Sequence, residues 1–364
     1  MLHLNGSYGE GGGQILRTSL SLAALLGDAV RITDIRAGRT KPGLRPQHLM
    51  AVKALAHITR AEVEGADLGS RELTFRPRAI QAGNYFFDVA EKTGSAGSVT
   101  LVAQALLPPL LAARGPTTVT IRGGTHVAWS PPAHYVQAVF LPALAELGVT
   151  ATLTLTRWGW YPRGGGEVQL RVQPAPELSS RTWTAPADPQ DFQALSAASR
   201  VPAHVIQRQA RRLKERLGAG LPVEEVEAAA LDPGSFVFLW GPRAGFEALG
   251  ARGKPAEKVA DEAAEQFLRF QKRGAAIDRH LADQVLLYLA RAPGPSKFTT
   301  SEITQHLLTN IWVIEQFLGA IFQVRGNPGE PGEISCKGQG ISGSAGGGAQ
   351  TAGPSSAPNA PASN

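Results

Sequence analysis

The chain has 364 residues, 43% hydrophobic and 18% charged, with a formal charge of +6 and one cysteine. That balance excludes disorder along the whole length, and at roughly 100–200 residues per domain it predicts two or three domains. A lone Cys336 excludes an intramolecular disulfide, no Cys/His grouping has zinc-ligand spacing, and no run of ~18 apolar residues suits a membrane span; the expected setting is soluble, cytoplasmic and reducing.

In chain order, Ile15, Leu16, Leu20, Leu22 and Leu25 share one helical face between Gln14 and Leu26, Gly27 stops the helix, and Val30 to Ile35 alternates as a strand. A helix from Gln47 to Ile58 follows, then short strands at Ala61–Val63 and Glu72–Phe75. About 85 residues later the series recurs. An apolar helix runs to Ala113, a strand spans Thr117–Arg122, a helix spans Pro132–Leu147, and strands follow at Thr150–Thr156 and Glu167–Val172. A third copy spans Leu281 to Cys336, with helices Leu281–Ala290 and Gln305–Leu318. Its strands are Lys297–Thr300, Ala320–Val324 and Glu333–Cys336. The predicted class is α/β (α+β), built on three repeated βαβαββ units, although general α+β alternation would give a similar pattern.

The stretch 181–278 has another texture. It holds a basic helix from Ala203 to Leu217, strands at Ser235–Trp240 and Phe246–Leu249, and a charged helix from Pro255 to Lys272. It is predicted to be an inserted small α/β domain, leaving 1–180 plus 279–337 as the large one. Arg208, Arg211, Arg212, Lys214 and Arg216 fit either an RNA-tracking surface or a solvated helix face. Residues 338–364 carry no charge and few bulky apolar groups, which predicts a disordered tail.

Gly9-Glu10-Gly11-Gly12-Gly13-Gln14 opens the first helix. Its glycines let backbone N–H groups approach an anion, and the helix N-terminus adds partial positive charge. A tight strand-to-helix turn explains the same residues. Glu10 beside a phosphate cradle is useful mainly as a metal ligand, and Arg17 lies one helical turn beyond Gly13. The loop Arg36–His48 holds four Arg or Lys side chains in thirteen residues. It suits bidentate capture of phosphate by Arg39 or Arg45, or simply faces water. His306 begins a helix whose dipole disfavours imidazolium, predicting a neutral, nucleophilic ring, although a structural histidine fits there too.

Together these segments resemble the RNA 3′-terminal phosphate cyclase family. The resemblance rests on Gly9–Arg17, Arg36-Ala37-Gly38-Arg39, Lys41-Pro42-Gly43-Leu44, Gln47-His48-Leu49 and Gly94-Ser95-Ala96-Gly97-Ser98 with Gln104. It continues through Tyr161-Pro162 with Gly164–Gly166, Ala282-Asp283-Gln284 and His306–Asn310, in family order over about residues 5 to 337. It implies a large domain of three βαβαββ units and an inserted smaller thioredoxin-like α/β domain. It also implies an ATP-dependent conversion of an RNA 3′-phosphate to a 2′,3′-cyclic phosphate through a histidine–AMP adduct on His306. Glu10 would hold a divalent metal, Mg or Mn. Gln104, Asp283 and Gln284 would line the ATP pocket, with Pro131 or Pro132 packed on adenine. Arg17, Arg39, Gln47 and His48 would grip phosphates of an RNA with a 3′-terminal phosphate. The chain has no Lys-x-Asp-Gly, so the lysine–AMP route of other polynucleotide ligases has no host here. His280 replaces the family's Tyr at the adenine site, and His126-Val127-Ala128-Trp129 has no residue-by-residue counterpart. The alternative is a non-catalytic RNA-binding relative acting in ribosome assembly; such relatives lack the histidine that His306 supplies. Oligomeric state is not legible.

Overall fold

The computed structural model describes residues 1–89, 94 and 96–341; Ser95 of the glycine-serine motif and positions 342–364 of the predicted tail lie outside the described residues. The fold is mixed α/β. Strand β1 (Leu2–Asn5), α1 (Gly13–Leu26), β2 (Val30–Thr33), α2 (Pro46–Thr59), β3 (Glu62–Glu64) and β4 (Leu73–Arg76) come first. They make a four-stranded sheet of order β1-β2-β4-β3, with β2 parallel to β1 and antiparallel to β4. The face predicted for α1 is buried at Ile15, Leu16, Leu20, Leu22 and Leu25. Each such side chain contributes about 1.5–3 kcal/mol. Gly27 ends α1 in the left-handed region at φ 78°, its N–H bonding the Ala23 carbonyl.

Next come β5 (Asn84–Asp88), α3 (Val99–Leu110), β6 (Thr117–Gly123), α4 (Ala133–Tyr135), α5 (Leu141–Glu146), β7 (Ala151–Arg157) and β8 (Gly166–Val172). Their sheet runs β5-β6-β8-β7, with β6 parallel to β5 and antiparallel to β8. The single helix expected over Pro132–Leu147 is instead interrupted by a π turn, Val136–Phe140. Pro142 supplies the reason: it has no N–H to donate four residues back and its ring crowds that carbonyl, so the helix widens before it.

Strand β9 (Thr182–Trp183) leads into β10 (Gln193–Ser199), α6 (His204–Leu217), β11 (Val223–Glu227), β12 (Gly234–Gly241), β13 (Ala244–Leu249) and α7 (Ala256–Arg273). β10 to β13 form a sheet of order β11-β10-β12-β13. Helices α6 and α7 pack on it over a separate apolar cluster that includes Phe192, Val237, Phe246 and Phe267. Three of the four arginines of α6 are spoken for: Arg208 makes two bonds to Glu257 (2.6 and 2.7 Å), and Arg212 and Arg216 share Asp261 at 2.9 and 3.0 Å. Arg208, Arg212 and Arg216 thus join two helices, while Arg211, which meets only Glu215 of its own helix at 3.9 Å, and Lys214 form a solvated face.

The chain closes with α8 (Arg279–Gln284), α9 (Leu286–Arg291), β14 (Ser296–Thr300), α10 (Gln305–Leu318), β15 (Phe322–Arg325) and β16 (Gly332–Cys336). The helix expected over Leu281–Ala290 is thus two short ones. Strand β9 pairs parallel with β14, giving the order β15-β16-β14-β9. Helix α1 packs against α2, α3 and α10, and one core runs through Leu20, Leu55, Leu106 and Leu286. Among the described residues no helix is long and apolar enough to cross a membrane.

Candidate active site

Helix α10 starts where Thr304 Oγ1 accepts the Leu307 N–H at 3.0 Å. Leu307, Ile311 and Ile314 are buried, which leaves His306 in the first turn facing a cavity of about 1050 Å³. Asp283 comes from α8. That helix is fixed by Asp278, whose Oδ1 accepts the N–H groups of His280 (2.6 Å) and Leu281 (2.8 Å). Its Oδ2 accepts the Gly245 N–H and the Tyr135 hydroxyl, each at 2.9 Å, so one buried carboxylate ties α8 to β13 and α4.

Asp283 Oδ2 then meets His306 Nδ1 at 2.8 Å. Burial works against the imidazolium, but the charge and hydrogen bond of Asp283, helped by Glu10, outweigh it and hold the His306 pKa above its ordinary 6.5. This corrects the expectation of a ring kept neutral by the helix dipole: the dipole acts weakly beside a carboxylate in direct contact. With Nδ1 engaged by Asp283, Nε2 is the ring nitrogen left to act once it loses its proton, on a residue that lines the cavity.

The glycine-rich turn faces this pair. Gly12 caps α1 with no side chain on its first-turn N–H groups, and Gly12, Gly13 and Gln14 line the cavity. Gly13 must be glycine, because a Cβ there would lie 2.3 Å from His48 Nε2. His48 Nδ1 accepts the Arg45 N–H at 3.2 Å. Burial, with Arg17, Arg36 and Arg45 nearby, pulls the His48 pKa down to about 3, so it offers an N–H donor and no charge at neutral pH. Burial lowers Arg17 to about 10, leaving it cationic. Arg17 bonds Gln14 Oε1 at 2.6 Å, and among the described residues no carboxylate pairs with it. Arg39 pairs with Glu10. Arg36 instead clasps its own loop, donating to the Lys41 and Gly43 carbonyls at 2.7 and 2.9 Å.

The remaining wall comes from the second and third sheets' helices. Gln104 Nε2 donates to Gln284 Oε1 at 2.6 Å, the Ser98 N–H donates to Gln47 Oε1 at 3.2 Å, and Thr100 Oγ1 donates to the Pro131 carbonyl at 2.6 Å. The cavity lining therefore includes Glu10, Arg17, Arg39, Gln47, His48, Gln104, Pro131, His280, Asp283, Gln284 and His306. Of the two adjacent prolines only Pro131 lines it, while Pro132 caps α4. A cavity of this size, holding a carboxylate-backed imidazole, a free guanidinium and an open helix N-terminus, accommodates a polyphosphate next to a nitrogen nucleophile.

Comparison with known proteins is decisive here. The RNA 3′-terminal phosphate cyclase family matches residues 8–324. The chain belongs to that family. An RNA 3′-terminal phosphate cyclase of Pyrococcus furiosus is 45% identical over 341 residues, covering 92% of this chain and 98% of the relative. Cyclases of Pyrobaculum neutrophilum and Methylococcus capsulatus are 47% and 48% identical, covering 89% of this chain and 94% and 93% of their own lengths. Among solved structures, the enolpyruvyl transferase NikO from Streptomyces tendae aligns at a TM-score of 0.34 and 14% identity, covering 94% of this chain and 49% of its own, too low to carry an argument.

Three roles at this cyclase cavity or just behind it went unread in the sequence. Asp278 had a signal, an Asp just ahead of an apolar helix start. Asn310 bonds Thr18 Oγ1 (2.7 Å) and the Asp283 carbonyl (2.7 Å), and Glu247 reaches the wall from β13 with its pKa pushed up to about 8 by burial and by Asp278. Neither contact has a local signature.

Proposed function

We propose that this chain converts an RNA 3′-phosphate end to a 2′,3′-cyclic phosphate at the expense of ATP, with His306 as the nucleotide carrier. His306 Nε2 attacks the α-phosphorus of ATP and expels pyrophosphate, leaving a histidine–AMP phosphoramidate. An oxygen of the RNA 3′-phosphate then attacks the same phosphorus, the imidazole departs, and an RNA–adenylate anhydride results. The ribose 2′-oxygen attacks the RNA phosphorus, loses its proton and expels AMP. A phosphate monoester has no good leaving group and the anhydride does, which is why ATP is needed. The observation that carries this is the His306–Asp283 pair facing Arg17 and the glycine-rich turn across one cavity.

Arg17, Arg39, Gln47 and His48 would hold phosphates, the first two by charge and the others as polar donors; Gln104, Asp283, Gln284, His280 and Pro131 would line the nucleotide site. Among the described residues no three His, Cys, Asp or Glu side chains form a metal cluster. Of the carboxyls in the wall, Asp283 is taken up by the proposed nucleophile His306 and Glu247 has its pKa pushed up to about 8; Glu10, which pairs with Arg39 at the cavity edge, is the one a metal would draw from its partner. A single carboxylate fits Mg²⁺ or Mn²⁺ that takes its other ligands from phosphate and water, supplying charge neutralisation.

For the architecture, we read the three sheets of like strand order as copies of one βαβαββ unit, and β10–β13 with α6 and α7 as an inserted thioredoxin-like domain. We draw its first boundary after Trp183 rather than at 181, because β9 pairs with β14. The setting is cytoplasmic and the partner is RNA ending in a 3′-phosphate.

The test uses ATP labelled at the α-phosphate with Mg²⁺ or Mn²⁺, followed by denaturing electrophoresis. An acid-labile, alkali-stable adduct is expected on the wild type and on His48→Ala, absent from His306→Ala. A 3′-phosphate RNA should become phosphatase-resistant while a 3′-hydroxyl RNA stays unchanged. A folded wild type that forms no adduct with either metal would remove covalent catalysis.

A further inference from the structure

Trp129 stands on the rim of the same cavity with 99% of its surface exposed. Its backbone is in the left-handed region at φ 65°, within the turn Ala128–Trp129. A bulky side chain is out of place there; such turn positions normally go to glycine or asparagine, and holding another residue costs of order 1–3 kcal/mol. The strain is sustained from both sides. Thr125 and His126 donate their N–H groups to the Gly159 carbonyl at 3.0 and 3.1 Å, and Ala133 N–H donates to the Thr125 carbonyl at 2.9 Å. Ser130 Oγ holds the Val127 carbonyl at 3.0 Å, and Thr100 Oγ1 holds that of Pro131. Among the described residues no aromatic ring lies against the indole.

The geometry points to Trp129 as a stacking platform for a nucleobase at the 3′ end of the RNA, an inference that rests on the cyclase function proposed above. A pinned backbone presents a rigid aromatic face, and every base offers a matching face, so the contact orders a single strand without reading sequence. The adenine of ATP is the poorer occupant. An enclosed nucleotide would cover the ring it stacks on, whereas Trp129 lies at the mouth, where an incoming strand passes with its phosphate directed to Arg17 and Arg39.

The experiment separates the two half-reactions. In Trp129→Ala, the KM for a 3′-phosphorylated oligonucleotide should rise roughly 5- to 150-fold, as loss of one base–aromatic stack implies. Adduct formation from ATP alone should keep its rate, and Trp129→Phe should recover most of the lost affinity. An RNA abasic at its last or next-to-last nucleotide should be penalised in the wild type and not further penalised in Trp129→Ala. Oligonucleotide quenching of the fluorescence difference between wild type and Trp129→Phe reads the same contact without turnover. Unchanged RNA kinetics in Trp129→Ala, or an equal loss in the ATP-only step, overturns the proposal. A wild type that binds and quenches but cyclises nothing strikes the proposed function and leaves the stacking site standing.

Discussion

His306 gains its chemistry from a neighbour 23 residues earlier in the chain. Its pKa lies above 6.5 because Asp283 and Glu10 outweigh burial, so the fraction of neutral nucleophile grows as pH rises through that raised value. Adduct formation should therefore climb with pH above the ordinary histidine range and then level off. Asp283→Asn removes the charge that holds the proton; the midpoint should move to lower pH, while the plateau rate falls roughly 10²–10⁴-fold from lost tautomer and orientation control. A pH–rate profile of the ATP-only step checks both, and an unmoved midpoint would show that Asp283 does not govern the ring. That His306 opens a helix was legible in the apolar spacing after it. The Asp283 contact was not, because residues on two different helices carry no local mark of their meeting.

Between elements, the site depends on how α1, α8 and α10 are locked together. Asn310 lies buried on α10, bonded to Thr18 of α1 and to the Asp283 carbonyl of α8. Gly9 admits the same helix, since a Cβ there would lie 2.4 Å from Thr309 Oγ1. Asn310→Ala leaves buried polar atoms without partners and should lower stability by about 1–3 kcal/mol. It should also slow adduct formation at saturating ATP, because His306 and Asp283 lose their shared support; denaturant melts and single-turnover labelling measure the two effects. Helix positions were largely legible from spacing and caps, as the unchanged bounds of Gln305–Leu318 illustrate. Strand β10 was missed because Gln193–Ser199 is mostly small residues buried on both faces, with none of the alternation that marks a strand.

Over the whole molecule, the +6 charge is unevenly available. Arg208, Arg212 and Arg216 of α6 are consumed by Glu257 and Asp261, while among the described residues Arg17, Lys41 and Arg45 beside the cavity have no ion-pair partner. RNA affinity should thus be governed by the loop beside the cavity. Arg45→Ala should raise the RNA KM several-fold and reduce the slope of log KM against log salt by about 0.7, the value for one phosphate contact on a single strand. Arg212→Ala should alter neither, and a salt titration of the two variants decides it.

By itself the sequence determined the α/β class, the positions of most helices, and the residue types that suit phosphate and nucleotide chemistry, because these depend on hydrophobic period, turn residues and short motifs. Only the tertiary structure decided that His306 is held by Asp283, that His48 is neutral, and that three of the arginines of α6 are spent within the protein. Protonation and charge availability depend on burial and on distances between elements far apart in the chain, and those are set by packing.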